Sequence, residues 1–141
     1  MTVYHNEKME TASRKEIEEL QARRLRAVVD RGYRSNPIYR RLFDAQGVRP
    51  EDIKGLDDVA KLPTTNKNIL RESYPLGLSC VPRSSIAEMH MSSGSTGTPV
   101  IMPYTTADLS QWAECMARCY RMAGVVPGDA VQISPLFGLF N

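Results

Sequence analysis

Residues 92–99 read Ser92-Ser93-Gly94-Ser95-Thr96-Gly97-Thr98-Pro99. Every position from 92 to 98 is Ser, Thr or Gly, and a proline closes the run. The flanks differ in kind. Ile86-Ala87-Glu88-Met89-His90-Met91 before it and Val100-Ile101-Met102-Pro103-Tyr104 after it each read as a short strand. The run is then a tight loop between two extended segments. Glycine lets the backbone turn and come close to a ligand. Successive backbone N–H groups in such turns make an anion-binding hollow, and hydroxyls add short donors. A loop that holds a polyphosphate and a flexible Ser/Gly connector both fit this composition. The shortness of the run, its strand-like flanks and the Thr98-Pro99 close favour the polyphosphate. The usual P-loop is excluded. It needs G-x-x-x-x-G-K-[ST] ahead of a helix, whereas Gly94 and Gly97 are closer together and no Lys follows Gly97.

Downstream of the loop, Thr106 is placed to cap a long helix. Leu109, Trp112, Ala113, Met116, Tyr120 and Ala123 fall on one face, with Gln111, Glu114, Arg118 and Arg121 opposite. That is an amphipathic helical pattern, so Trp112 and Tyr120 read as core residues rather than cofactor stackers. Gly124 suits the helix end. Pro127-Gly128-Asp129 is a turn, and residues 130–134 read as a strand. The order β-β-α-β suits an α/β domain.

Upstream, residues 1–12 read as extended. Ser13 and Glu16 form a capping box for a helix to about Arg34, with Ile17, Leu20, Leu25, Val28 and Val29 as its apolar stripe. Arg23, Arg24 and Arg26 follow Glu16, Glu18 and Glu19 on the same helix, with Glu19 and Arg23 at i,i+4, which predicts a salt-bridged, solvated face rather than a nucleic-acid patch. Asn36-Pro37 opens a second helix, and Gly47 ends it. Further short helices are expected over 58–62, opened by Asp57, and over 66–73, capped by Thr65. Residues 1–78 thus form a helical subdomain, and 79–141 the beginning of an α/β domain. The fold class is α/β locally and α+β overall. The apolar end, Leu136 to Phe140, leaves few strands for a closed sheet, so the chain is expected to be the N-terminal piece of a longer protein.

With 141 residues, 42% hydrophobic and 24% charged, the chain has one domain's worth of a soluble globular composition. A net charge of +2 gives no case for nucleic acid or a membrane surface. No apolar run reaches the ~18 residues of a membrane span, and Met1 to Glu10 lacks a signal-peptide core. Cys80, Cys115 and Cys119 are odd in number, which argues for reduced thiols and a cytoplasmic setting. Their spacing, even with His90, does not suggest a metal site.

The loop fits [ST]-S-G-[ST]-T-G-x-P, the phosphate-binding loop pattern of adenylate-forming enzymes. Other landmarks run the length of the chain: Asn36-Pro-Ile-Tyr39, Phe43-Asp-Ala-Gln-Gly-Val48, Asp57-Asp-Val-Ala-Lys-Leu-Pro63, Tyr74-Pro-Leu-Gly-Leu78, Asp108-Leu-Ser-Gln-Trp-Ala-Glu114, Gly124-Val-Val-Pro-Gly-Asp129 and Gly138-Leu-Phe140. Together they resemble the N-terminal third of the phenylacetate–CoA ligases, within the adenylate-forming superfamily. The resemblance implies conversion of phenylacetate or a similar aryl acid, ATP and CoA into the CoA thioester, AMP and pyrophosphate, with Mg²⁺ beside the nucleotide. It implies that Ser92, Ser93, Gly94, Ser95, Thr96, Gly97 and Thr98 cradle the phosphates, where many relatives carry Lys at the position of Thr98. Lys67 is either a further cation toward the phosphates or a solvated surface lysine. Phe137 and Phe140 are either walls of the aryl-acid pocket or sheet packing. His90 reads as a buried, hydrogen-bonded strand histidine ahead of a catalytic base. Catalytic residues are expected beyond Asn141. The implied partners are small molecules, and a homodimer is an assembly the resemblance allows. The competing readings are a non-catalytic fragment or interaction module of the same fold, and a relative that adenylates another acid or serves another acceptor.

Overall fold

A computed structural model describes residues 4–92 and 97–134. The elements are helices α1 (Glu7–Glu10), α2 (Arg14–Ser35), α3 (Pro37–Ala45) and α4 (Lys67–Glu72), strands β1 (Ile86–Met91) and β2 (Ile101–Thr105), and helix α5 (Thr106–Met122), with 3₁₀ turns between them. This is the mixed helix-and-sheet class expected from the sequence.

Caps decide where most helices start. At α2, the Glu16 amide donates to Ser13 Oγ at 3.3 Å while the Ser13 amide donates to Glu16 Oε2 at 2.8 Å. Among the described residues, the ion pairs within α2 are Arg14–Glu18 and Arg34–Asp30 rather than those expected of Arg23, Arg24 and Arg26. Arg26 reaches instead to the Lys54 carbonyl, at 2.6 Å. The first residues are not all extended, because Asn6 Oδ1 accepts from the Met9 amide and sets up the single turn of α1. The cap of α4 is Asn66, one residue after the expected Thr65, with its side-chain oxygen accepting from Asn68 and Ile69. Residues 56–61 wind as a 3₁₀ turn rather than an α-helix. There the Asp58 carboxylate holds the Lys54 and Gly55 amides at 2.8 and 3.1 Å.

Asn36 ties this helical part to the approach to the sheet. It is only 2% exposed. Its Oδ1 accepts from the Ile38 and Tyr39 amides at 3.0 and 3.2 Å, capping α3. Its Nδ2 donates to the carbonyls of Gly77 and Ser79 at 2.8 and 3.1 Å. A buried amide with two donors and an acceptor oxygen is fully used here. Gly77 must be glycine for a separate reason: a Cβ there would lie 2.6 Å from the Ser73 carbonyl oxygen.

The buried apolar residues are Val29, Phe43 and Ile53, flanked by Leu25, Tyr33, Val48 and Leu62. They lie where α2, α3 and the turns after it meet. The two strands pair antiparallel, with His90 opposite Met102 and Glu88 opposite Tyr104, and a bulge falls between Ile86 and Glu88. Thr105 ends β2 and also caps α5, one residue before the expected Thr106; its hydroxyl accepts from the Asp108 amide, and Asp108 answers the Thr105 amide at 2.8 Å. Residues 130–134 carry no strand and are exposed. A strand needs a ladder partner, and none of the described residues supplies one. The stripe on α5 is likewise less covered than its periodicity suggests: Leu109 and Tyr120 are half-buried, but Trp112 is 44% exposed and Met116 is exposed too. Among the described elements, α5 packs chiefly against β2 and β1.

Replacing Asn36 with Ala should cost about 2–4 kcal/mol, from a lost cap of ~1 kcal/mol and two carbonyls stripped of their donors. Urea unfolding measures it. Asp58 supplies a pH test. The hydrogen bond from Lys61, followed by those from the Lys54 and Gly55 amides, lowers its pKa from 3.8 to about 2. A depressed folded-state pKa means its contribution is complete above the unfolded value and is lost as pH falls through the folded one. Stability should therefore drop between about pH 4 and pH 2, and Asp58→Asn should flatten that part of the pH–stability curve.

Candidate functional site

The Ser/Gly run connects β1 to β2, so an antiparallel hairpin carries it. Ser92 forms its neck. The Ser92 amide donates to the Val100 carbonyl at 3.0 Å. The Val100 amide donates to Ser92 Oγ at 2.9 Å. The hydroxyl thus accepts within the neck and keeps its proton for another acceptor. Beyond the neck, Gly97 and Thr98 are exposed. Gly97 has φ +129°, a backbone conformation that side chains other than hydrogen disfavour. Ser93, Gly94, Ser95 and Thr96 lie outside the described residues, as do Phe137 and Phe140.

The neighbourhood of the neck is aromatic on one face. Glu88 and His90 point to the same side of β1, and Tyr104 and Met102 are their partners across the pair. His90 and Tyr104 meet edge to face at 5.1 Å between ring centroids. Trp112, one and a half turns into α5, lies 5.6 Å from His90 and 5.5 Å from Tyr104. His90 Nε2 and Glu88 Oε1 are 2.6 Å apart, and the imidazole is 15% exposed. His90 is thus a packed, hydrogen-bonded strand histidine. The tryptophan in this cluster was legible in the sequence only as part of an apolar stripe. The Glu88-x-His90 alternation on a strand was the available hint that both point the same way.

Helix α5 is held at its start and again near its middle. Thr105 side-chain and backbone hydrogen bonds hold the Asp108 carboxyl below its usual range. Asn6 Nδ2 donates to Glu114 Oε1 at 2.9 Å, and this bond is the chief cause holding the Glu114 carboxyl below its usual range. Lys67 is exposed in the first turn of α4 and makes no ion pair among the described residues. A cleft of about 460 Å³ lies between α2, the segment 78–81 and the end of β2; Val29, Phe43, Leu78, Cys80, Pro103 and Asp108 are among its walls. None of the described loop residues lines it. Burial there pushes the Cys80 thiol up. Among the described residues no three His, Cys, Asp or Glu side chains gather as a metal cage, and no helix is long and apolar enough to cross a membrane.

No family model matches the chain. Individual proteins do. The phenylacetate-coenzyme A ligase of Aromatoleum evansii is 46% identical over 135 residues, covering 96% of this chain and 31% of its own length. The chain resembles phenylacetate-coenzyme A ligases from end to end. That of Escherichia coli K12 is 41% identical over 133 residues, covering 94% of this chain and 30% of the relative. Among solved structures, 2-hydroxyisobutyryl-CoA ligase in the postadenylation state, in complex with 2-HIB-AMP, superposes with a TM-score of 0.87 at 30% identity over 99% of this chain and 30% of its own. The same ligase with 2-HIB-AMP and CoA in the thioesterification state gives 0.81 at 33% identity, over 91% and 28%. The architecture is therefore part of an adenylate-forming ligase fold. The chain spans about a third of the length of the phenylacetate-coenzyme A ligases it matches.

Ser92→Ala should test the neck directly. It removes the acceptor of the Val100 amide, a loss of about 1 kcal/mol, so exchange of that amide with deuterium should speed up about fivefold. Exchange in α2, remote from the hairpin, should not change.

Proposed function

We propose that this chain supplies the phosphate-binding loop of an aryl-acid–CoA ligase that uses ATP. The observation that carries the reading is a Ser/Gly run on a hairpin closed by Ser92 and Val100, in a chain that resembles such ligases throughout. In the first half-reaction a carboxylate oxygen attacks the α-phosphorus of ATP, the bond to the β-phosphate breaks, and pyrophosphate leaves. Charge builds on the departing phosphates, so donors already aimed at them lower the barrier. Ser92, Ser93, Ser95, Thr96 and Thr98 bring hydroxyls, and Gly94 and Gly97 let the backbone amides approach. In the second half-reaction the CoA sulfur attacks the acyl carbon, the bond to the adenylate oxygen breaks, AMP leaves, and the thiol proton passes to solvent.

Phenylacetate is the acid this reading favours, with Phe137 and Phe140 as proposed pocket walls and Lys67 as a proposed cation. Residues 1–78 serve as the helical support and 79–141 as the start of the nucleotide-binding domain. The described residues offer no carboxylate cage for Mg²⁺, so the ion enters the reading as a companion of ATP and no step is assigned to it. The catalytic groups are expected in the remaining length that the relatives have.

The test is AMP release from ATP and phenylacetate. The 141-residue chain alone should make none; product from it would favour a complete site within these residues. In the polypeptide where this chain is continuous with the rest of a ligase, Ser93→Ala and Thr96→Ala should each weaken ATP use about tenfold or more, as expected for a lost hydrogen bond to a charged group of roughly 1.5–3 kcal/mol. Unchanged kinetics in both variants would remove the loop from the phosphate site.

A further inference from the structure

The hairpin by itself is a poor platform. An isolated pair of strands is marginally stable in water, and a site must be held within about half an ångström to work. Ser92 is two residues beyond His90, and Val100 four before Tyr104. His90 and Tyr104 are the two rings that Trp112 touches from α5. The helix that brings Trp112 has no slack at its root, because Thr105 is both the last strand residue and the helix cap. It is also tied down further along, by Asn6 on Glu114. Trp112 therefore bridges both arms of the hairpin from an element fixed at two other points.

We propose that Trp112 is a positioning residue for the Ser92–Val100 neck, acting through its ring contacts with His90 and Tyr104. It touches no substrate in this assignment. Its effect is to hold the two arms at the separation in which Ser92 and Val100 exchange their hydrogen bonds. Aromatic pairs attract beyond their buried area at centroid separations of about 4.5–7 Å, and both Trp112 contacts fall in that range, at 5.6 Å to His90 and 5.5 Å to Tyr104. The assignment rests on the loop being the phosphate site, and the experiment separates the two ideas.

The experiment measures kcat and KM for ATP in the intact ligase polypeptide carrying Trp112→Leu, Trp112→Phe, Thr96→Ala and Ser93→Ala. Trp112→Leu keeps an apolar side chain and loses the ring. It should raise KM for ATP by about three- to tenfold, the scale of one lost aromatic pair, with KM for the acid unchanged. Trp112→Phe should restore most of the loss. A purely structural role predicts otherwise: fewer folded molecules lower the apparent kcat and leave KM for ATP where it was. Should Thr96→Ala weaken ATP use while both Trp112 variants keep the wild-type KM, the positioning role is wrong and the phosphate site stands. Should Trp112→Leu behave like Trp112→Phe, side-chain volume and not the ring matters, and the proposal also fails. If neither Thr96→Ala nor Ser93→Ala weakens ATP use, the phosphate reading falls and the positioning role falls with it. If Trp112→Leu does not accumulate as folded protein, Tyr104→Leu against Tyr104→Phe puts the same question to the other arm, with the same KM shift expected and the same absence of shift overturning it.

Discussion

A buried amide ties the start of α3 to the segment that leads into the sheet. Asn36 closes the start of α3 with its oxygen and grips two carbonyls of the segment leading to the sheet with its nitrogen. Burying an amide without partners would cost several kcal/mol, and burying it with all of them satisfied costs little. The geometry is demanding in return. A cap needs the side chain of Asn36 to fold back on its own helix, and the remaining N–H bonds then point one way only. The approach to β1 is thereby set relative to α2 and α3, whose contact also forms the small core around Val29, Phe43 and Ile53.

The hairpin inherits its placement from that tether and from α5. Met89 and Met102 are exposed on opposite faces of the hairpin, and Trp112 of α5 stands exposed on the Met102 side.

Local signals in the sequence carried far, and they failed where two candidates stood side by side. The capping box at Ser13 and the Asn36-Pro37 start are local, and both are present in the structure. At the start of α5 two threonines compete. Thr105-x-x-Asp108 has the spacing of a capping box, which Thr106 lacks, so the spacing rather than the residue type held the answer. Asn66 over Thr65 follows from the greater reach of an amide oxygen to two amides at once. Periodicity revealed that α5 has an apolar stripe but could not reveal what covers it, since that depends on residues far away in the chain. The second job of Asn36, more than 40 residues along the sequence, had no local signature either. For the candidate site, composition identified the loop, while the neck hydrogen bonds and the ring cluster needed the pairing register of the two strands.

The junction at Thr105 has a consequence for how this region tolerates changes in length. Each residue advances an α-helix by about 100°. One residue added between the end of β2 and Trp112 would therefore swing the indole about a quarter-turn or more away from the hairpin, leaving every side-chain identity intact. Residues inserted beyond the neck, among positions 93–99, would enlarge the loop without disturbing that angle. The angle of Trp112 is thus independent of the number of residues beyond the neck, while the count of residues from Tyr104 to Trp112 is fixed by rotation.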